Sequence, residues 1–225
     1  MRFPLAIVVV LAAAWPLSCM DLDAAFSLGV TVGWAEFSAL HSPSTNAAAE
    51  SLGMATSYAK GCGLDSAPLD EILSKLAGGT KPDAVYKDIG AARDLYLATT
   101  GQYKAVCGEG MRNLRSVISM GYQLGFAEVA SAANWKNSKF LIQTLSWAKE
   151  TAETLPCGFD TESLQSLIDR LTAGAAATEI GADLKTVRQQ FADACKSGTV
   201  TGGPKPPEPV EPQTQPQTQE AAEVE

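Results

Sequence analysis

The chain has 225 residues, of which 46% are hydrophobic and 19% are charged, and its formal net charge at pH 7 is -8. This length suits one or two domains, and the apolar fraction is ordinary for a globular protein, which excludes disorder of the whole chain. The acidic balance argues against a nucleic-acid surface, because neutralising phosphates requires clustered Lys and Arg.

Residues 1–18 have the features of an export signal. Arg2 supplies the positive charge, and the uncharged apolar run that follows is too short to span a bilayer as a mature helix. Two cleavage sites are open: the small residues 12–14 suit a signal peptidase, and residues 16–19 resemble a lipoprotein cleavage box that would attach a lipid to Cys19. We therefore expect an exported protein, either periplasmic or lipid-anchored at the outer membrane or cell surface. Without lipidation, Cys19 leaves with the signal or remains a thiol.

The region that follows contains an internal duplication, in which residues 26–36 match residues 118–128. The matched positions include Gly29 and Gly121, Gly33 and Gly125, Ala35 and Ala127, Glu36 and Glu128, and further on Cys62 and Cys157. A repeat of this length indicates two homologous domains or one pseudo-symmetric domain, and not a solenoid of short units. We predict helical repeat 1 over residues 22–109 and helical repeat 2 over residues 110–199.

Each repeat is predicted to hold four helices. They span about 24–41, 46–61, a segment that starts after Asp65, and 82–106 in the first repeat, and 111–134, 138–155, a segment that starts after Asp160, and 178–196 in the second. The first helix of each repeat carries two glycines four residues apart. Since a glycine costs about 1 kcal/mol in a helix interior, this pair indicates a close-packed face. Alternating strand-type patterns are absent, so the predicted fold class is all-α.

The composition changes at the end of the chain, and residues 200–225 are predicted to form a disordered, acidic, Pro-rich tail. Six of the twelve prolines lie in residues 201–225, together with five Glu and one Lys. With no aromatic and almost no large aliphatic residue, this segment cannot bury enough surface to fold. It serves either as a spacer or as a docking peptide for a partner.

The cysteines follow the same duplication. Export leads to an oxidising compartment, where disulfides persist. Apart from Cys19, each repeat holds two cysteines at corresponding positions; four cysteines allow three connectivities, and the duplication favours one bridge within each repeat, Cys62–Cys107 and Cys157–Cys195. The spacings are not those of redox motifs, and the chain has a single histidine, so we predict neither a metal site nor a cofactor.

The charged residues of the repeat suggest ion pairs more than catalysis. Glu36 and Glu128 lie on the glycine-bearing face of the first helices, and Arg93 and Arg188 are the repeated cations of the last helices. We predict buried ion pairs Glu36–Arg93 and Glu128–Arg188. In the alternative, the two carboxylates face each other, bind a cation or act as acid and base. The lone histidine, His41, has no ionisable counterpart in the second repeat, so no catalytic residue is assigned and the protein is not expected to be an enzyme.

The order of elements resembles small disulfide-bonded periplasmic helical domains of the HdeA acid-chaperone and Tai-type immunity-protein kind. In the second repeat, the segments Tyr122–Gly125, Cys157, Leu164–Leu171 and Phe191–Cys195 stand in the places of that pattern. The chain departs from it by its duplication, its acidic tail and the lack of an additional cysteine in the first helix. The resemblance implies a non-catalytic binding fold in the cell envelope, and it supplies no partner.

Three functions follow from these observations. The leading hypothesis is an exported bacterial envelope protein that is not an enzyme, binds a protein partner, and contacts the membrane only through a possible lipid at Cys19. The alternative is a small-ligand carrier or an enzyme that uses a groove between the repeats around Glu36, Glu128 and three tryptophans, Trp34, Trp135 and Trp147. The third is a purely structural envelope component. The sequence leaves the partner and the oligomeric state open.

Overall fold

The computed structural model describes residues 21–42, 45–107, 110–155 and 157–202. The predicted export signal, Cys19 and the tail beyond Gly202 lie outside these residues. Within them the chain forms α1 Leu22–His41, α2 Thr45–Gly61, α3 Ala67–Ala77, α4 Pro82–Thr99, β1 Tyr103–Cys107, β2 Gly110–Asn113, α5 Leu114–Ala132, α6 Ser138–Thr154, α7 Thr161–Thr172, α8 Ala177–Cys195 and β3 Thr199–Gly202. The prediction of a mostly helical fold is confirmed.

The centre of the fold is the contact between α1 and α5. A Cβ added at Gly29 would collide with the carbonyl oxygen of Ile118, and one added at Gly33 would collide with that of Tyr122. Moving four residues along α1, from Gly29 to Gly33, moves the contact four residues in the same direction along α5, from Ile118 to Tyr122. The two helices therefore run parallel. Because the obstructing atoms belong to the backbone, only glycine permits this approach of the helices.

The same contact is reciprocal. Gly121 of α5 faces the backbone of Phe26, just as Gly29 faces that of Ile118, and both glycine and neighbour are offset by the 92 residues that separate the matched segments. Each repeat therefore presents the same patch to the other, as in a two-fold interface. The glycine pairs that the sequence singled out thus form the contact between the repeats.

The remaining helices surround this central pair. α2 packs on α1 and α6 packs on α5, while α4 and α8 each contact both central helices. α3 lies against α2 and α4, and α7 lies against α6 and α8. The buried apolar side chains form one continuous cluster that includes Phe26, Phe37 and Phe191, so the two predicted repeats share one core.

The third helix of each repeat begins and ends as its sequence suggests, with one difference. Asp160 caps α7 by accepting hydrogen bonds from the backbone N–H groups of Glu162 and Ser163. Before α3 the N-cap residue is Ser66, and the Asp65 carboxylate accepts one helix N–H, that of Ala67, at 2.9 Å. Glycines with a φ of +90° and +97° follow α3 and α7, at Gly79 and Gly174, where a left-handed residue ends the helix.

A small antiparallel sheet is the feature that the sequence prediction missed. Its strand order is β2-β1-β3. The last helix of the first repeat was predicted to continue to residue 106, but α4 ends at Thr99 and β1 begins at Tyr103. Residues 200–202, predicted as tail, belong to β3. The boundary between the predicted repeats falls in the β1–β2 hairpin.

The error has a physical reason. In the duplication the segment Tyr103–Cys107 corresponds to Phe191–Cys195, which is helical. It follows Gly101 and alternates, however: Tyr103 and Ala105 are buried, whereas Lys104 is exposed. This alternation is typical of a strand, and five residues are too few to separate it from a helix by pattern alone.

Among the described residues, no helix combines the length and apolarity that crossing a membrane requires.

Candidate functional site

The first predicted ion pair lies where α1, α4 and α5 meet. Arg93 Nη1 donates to both carboxylate oxygens of Glu36, at 2.9 and 2.8 Å, and the Glu36 side chain is only 4% exposed. The same nitrogen lies 2.9 Å from the Tyr122 hydroxyl oxygen, and the guanidinium carbon lies 4.8 Å from the centre of the Tyr122 ring. Arg93 therefore connects the carboxylate of one central helix to an aromatic ring of the other.

Burial governs the electrostatics of this cluster. It raises the pKa of Glu36, against the opposing effects of the Arg93 charge and the Tyr122 hydrogen bond. Burial also raises the pKa of Tyr122, and the nearby Glu36 carboxylate adds to that shift. For Arg93, burial alone would lower the pKa, but its electrostatic interactions with Tyr122 and Glu36 raise it overall. The guanidinium thus stays charged and the phenol neutral at physiological pH.

The second predicted ion pair joins α5 to α8. Arg188 Nε donates to Glu128 Oε2 at 2.6 Å, and the Trp34 indole N–H donates to the same oxygen at 3.2 Å. The Arg188 guanidinium carbon lies 5.4 Å from the Trp34 ring centre, within the range of a cation–π contact. Each glutamate therefore takes an arginine from its own repeat, and each arginine contacts an aromatic ring from the other repeat.

The two carboxylates do not meet as a bare acidic pair, because each is bound by a guanidinium. His41 is exposed and packs beside the rings of Phe37 and Trp135, with centroid distances of 4.6 and 5.2 Å. Within the described part of the chain, no group of three or more His, Cys, Asp or Glu side chains is placed to hold a metal ion. The chemistry that these residues offer is ion pairing and packing.

The predicted disulfide pairing is wrong. Cys62 and Cys195 are free thiols, with exposures of 1% and 0%, so neither Cys62–Cys107 nor Cys157–Cys195 is formed. Cys157 is disulfide-bonded, but not to the free Cys195. The side chain of Cys107 lies outside the described residues. The physical reason is that α4 and α8 each pack on both central helices, so the end of each helix is brought next to the neighbouring repeat.

A cleft of about 330 Å³ opens between α4, α5 and α6. Its lining comes from all three helices: Arg93, Asp94, Leu97, Ser119, Tyr122, Gln123, Phe126, Phe140, Thr144 and Trp147. Phe140 and Trp147 are 37% and 44% exposed. The side-chain oxygen of Gln123 is buried without a hydrogen-bond partner, whereas Asp94 binds Arg93 Nε at 3.1 Å. The cleft thus combines aromatic walls with a charged pair and an unpaired amide.

Part of this cleft could be anticipated from the sequence. Phe140, Thr144 and Trp147 have the i, i+4, i+7 spacing of a single helix face. The contribution of Asp94 had no sequence signal, since α4 belongs to the other repeat. Gln123 lies on α5, in the same repeat as Phe140 and Trp147, but no spacing pattern singled it out. The three tryptophans proposed for a shared groove are separated: Trp34 lies at the second ion pair, Trp135 among the rings of Phe37, Phe126 and Phe140, and Trp147 at the cleft.

Comparisons with protein-family models, with curated proteins and with solved structures find no match to this chain. The resemblance to small periplasmic helical domains therefore stays a prediction.

Proposed function

We propose that the chain is an exported, non-catalytic helical protein of the bacterial envelope that binds a protein partner through the cleft between α4, α5 and α6. The observation that carries this proposal is the pair of partly exposed aromatic side chains, Phe140 and Trp147, beside that cleft. Large aromatic side chains contribute most of the binding energy in many protein interfaces, because they bury much area at a low entropic cost.

The polar groups of the cleft support the same function. A buried polar atom without a partner costs about 1–3 kcal/mol, and the Gln123 amide oxygen is such an atom. A partner that placed an N–H group in the cleft would satisfy this oxygen once the Gln123 side chain turns toward the opening, and an apolar side chain against Trp147 would cover the ring. The partner chemistry expected here is an apolar or aromatic side chain next to a backbone amide.

The absence of catalysis is proposed from the state of the two glutamates. Glu36 and Glu128 are both held by arginines, so neither has the open approach that a general acid or base needs. A purely structural role would leave the exposed aromatics and the unpaired amide without a purpose.

A small-ligand carrier is the second candidate, and it would use this cleft, not a groove around the two glutamates. The unpaired Gln123 amide favours it, because an amide of this kind orients small molecules in their pockets. The volume of about 330 Å³ lies at the low end of ligand pockets, which span roughly 300–1,000 Å³. A small volume of this kind fits a single protruding side chain better than a whole ligand.

Site-specific photo-crosslinking in intact cells tests the proposed surface. A photoreactive phenylalanine at position 147 is expected to give an adduct with another protein, and the matched variant at Met54, the corresponding exposed position of α2, is expected to give none. No protein adduct at position 147, or equal adducts at both positions, would overturn the proposal. An adduct of small mass at position 147 would instead favour the carrier.

The export part of the proposal is supported by the charged and apolar pattern of residues 1–18. The intact mass of the protein isolated from the envelope fraction is expected to match a chain cleaved near residue 14 or before Cys19, with added acyl mass in the second case. Recovery of the uncleaved chain from the cytosolic fraction would overturn it.

A further inference from the structure

Two buried thiols lie at one end of α1, and they come from different repeats. Cys62 directly follows α2, and Cys195 is the last residue of α8. α1 packs against both of these helices. Because α1 and α2 are joined by a short connection, they run in opposite directions, so the end of α2 returns to the beginning of α1.

The carboxylates at the start of α1 are within electrostatic reach of both thiols. Asp21, the N-cap of α1, acts electrostatically on the thiol of Cys62 and on that of Cys195. Asp23, in the first turn of α1, acts on Cys195 and on the neighbouring Lys196. The start of α1 is thus the common neighbour of the two cysteines.

Burial sets the protonation of these thiols. It raises the pKa of Cys62 and of Cys195 to about 12 in each case, with the Asp carboxylates adding to the shift. Both are therefore neutral thiols inside one apolar core. A single buried cysteine is commonly just a small apolar side chain, but two buried thiols from opposite repeats that share the start of α1 as a neighbour form a candidate pair.

We propose that Cys62 and Cys195 form a disulfide when the chain folds in the presence of a disulfide oxidant, tying α2 of the first repeat to α8 of the second across the start of α1. The inference rests on the fold alone and does not depend on the proposed function. It replaces the pairing within each repeat, which is not formed because Cys62 and Cys195 are both free thiols, by a bond between repeats.

The exchange reaction proceeds through a mixed disulfide. With oxidised glutathione, the thiolate of one cysteine attacks a glutathione sulfur, the glutathione S–S bond breaks, and one reduced glutathione leaves. The second cysteine then attacks the protein sulfur of the mixed disulfide, and the second glutathione leaves with its electron pair. The protons of the two cysteine thiols end on the two glutathione thiols, so one disulfide is reduced for the one that forms.

Disulfide mapping of the full chain tests the proposal. The reduced, denatured protein is refolded in a glutathione redox buffer, its remaining thiols are alkylated, and the unreduced digest is analysed by mass spectrometry. We expect a peptide that contains Cys62 linked to one that contains Cys195. A link from Cys62 to Cys107, or Cys62 and Cys195 both alkylated, would overturn the proposal.

Alanine variants provide a second measurement. Because the bond would close a loop of more than a hundred residues, oxidation is expected to raise the Tm of the wild-type chain by about 10 °C. In C62A, in C195A and in the double variant, the part of this rise that belongs to the bond should vanish. An undiminished rise in the double variant would contradict the proposal. Should a variant fail to fold, the mapping of the wild-type chain decides alone.

Discussion

The two halves of the molecule share their central contact but differ in the helices that cover it. α2 and α6 each have 17 residues, so a position in α2 corresponds to the one 93 residues later in α6. The inward-facing Leu52 and Leu145 correspond and are both buried. On the outer side, Met54 corresponds to Trp147, so at this position only the second half carries an aromatic side chain. Positions that pack between helices are thus held alike, while the outer face is free to specialise.

The ion pairs show the same relation. Each joins a central glutamate to an arginine, but the Glu36 side chain is 4% exposed and that of Glu128 is 16% exposed. Glu36 accepts hydrogen bonds from its arginine through both carboxylate oxygens, whereas Glu128 accepts through one. The aromatic neighbour also differs, a tyrosine in the first pair and a tryptophan in the second. The same kind of ion pair therefore occurs in both halves, and we expect its contribution to the free energy of unfolding to differ between them.

The shared centre should give the largest effect when it is disturbed. In Gly33→Ala, the new Cβ would lie 2.7 Å from the Phe126 backbone nitrogen and would collide with the carbonyl oxygen of Tyr122. Backbone cannot move aside like a side chain, so α1 and α5 must separate. We expect the free energy of unfolding, measured by urea titration, to fall by about 3 kcal/mol.

Gly53→Ala is the matched control for that variant, because Gly53 is also inside a helix but has no atom within 4 Å of its added Cβ. It should raise the free energy of unfolding by up to about 1 kcal/mol through helix propensity alone. A Gly33→Ala chain as stable as the Gly53→Ala chain would contradict the close packing of the central helices.

Removing a glutamate charge should lower the free energy of unfolding by less than the glycine variant does, and by different amounts in the two halves. Glu36→Gln removes the charge that faces the buried side of Arg93 and is expected to lower the free energy of unfolding by about 2 kcal/mol. Glu128→Gln, at the more exposed pair, should lower it by about 1 kcal/mol. Thermal and urea unfolding of both variants provide the measurement. A larger loss in Glu128→Gln than in Glu36→Gln would reverse the comparison.

The carboxylates that bind the first turns of α3 and α7 should have the smallest effect on stability when they are removed. Asp160→Ala removes a full N-cap and should cost about 1 kcal/mol, and Asp65→Ala, which removes one such bond, about half of that. The hydrogen bonds from Ser163 lower the pKa of Asp160 from its ordinary value of 3.8. Its contribution is therefore complete above that value and is lost as the pH falls through the lower folded-state pKa. The gap between wild type and Asp160→Ala should close in acid; a gap unchanged down to the lowest pH would be inconsistent with the cap.

The helices and the close-packed glycine face could be predicted from the sequence because both depend on local spacing. Two glycines four residues apart and apolar residues at i, i+3, i+4 and i+7 reflect the geometry of a helix, whichever tertiary fold surrounds it. Glu36 and Arg93 could be named together since both recur in the second half, and the structure brings them into contact.

Tertiary neighbours account for what the sequence did not predict. The cysteine pairing followed the duplication, but duplication fixes only which residues are equivalent, not which copy they touch. Once α4 and α8 pack on both central helices, Cys195 lies beside the start of α1, away from its expected partner. The cleft was missed for the same reason, because Asp94 and Trp147 lie on opposite sides of the predicted boundary between repeats.

The reciprocal glycine contacts have a consequence for the origin of such a chain. An ancestral protein with a single copy would carry a self-complementary patch and would assemble as a symmetric homodimer through it. Joining two such genes end to end keeps every contact of that dimer and fixes its stoichiometry at one to one. Each outer helix then evolves without a constraint from its twin, and one of them can acquire a recognition surface while the other stays plain.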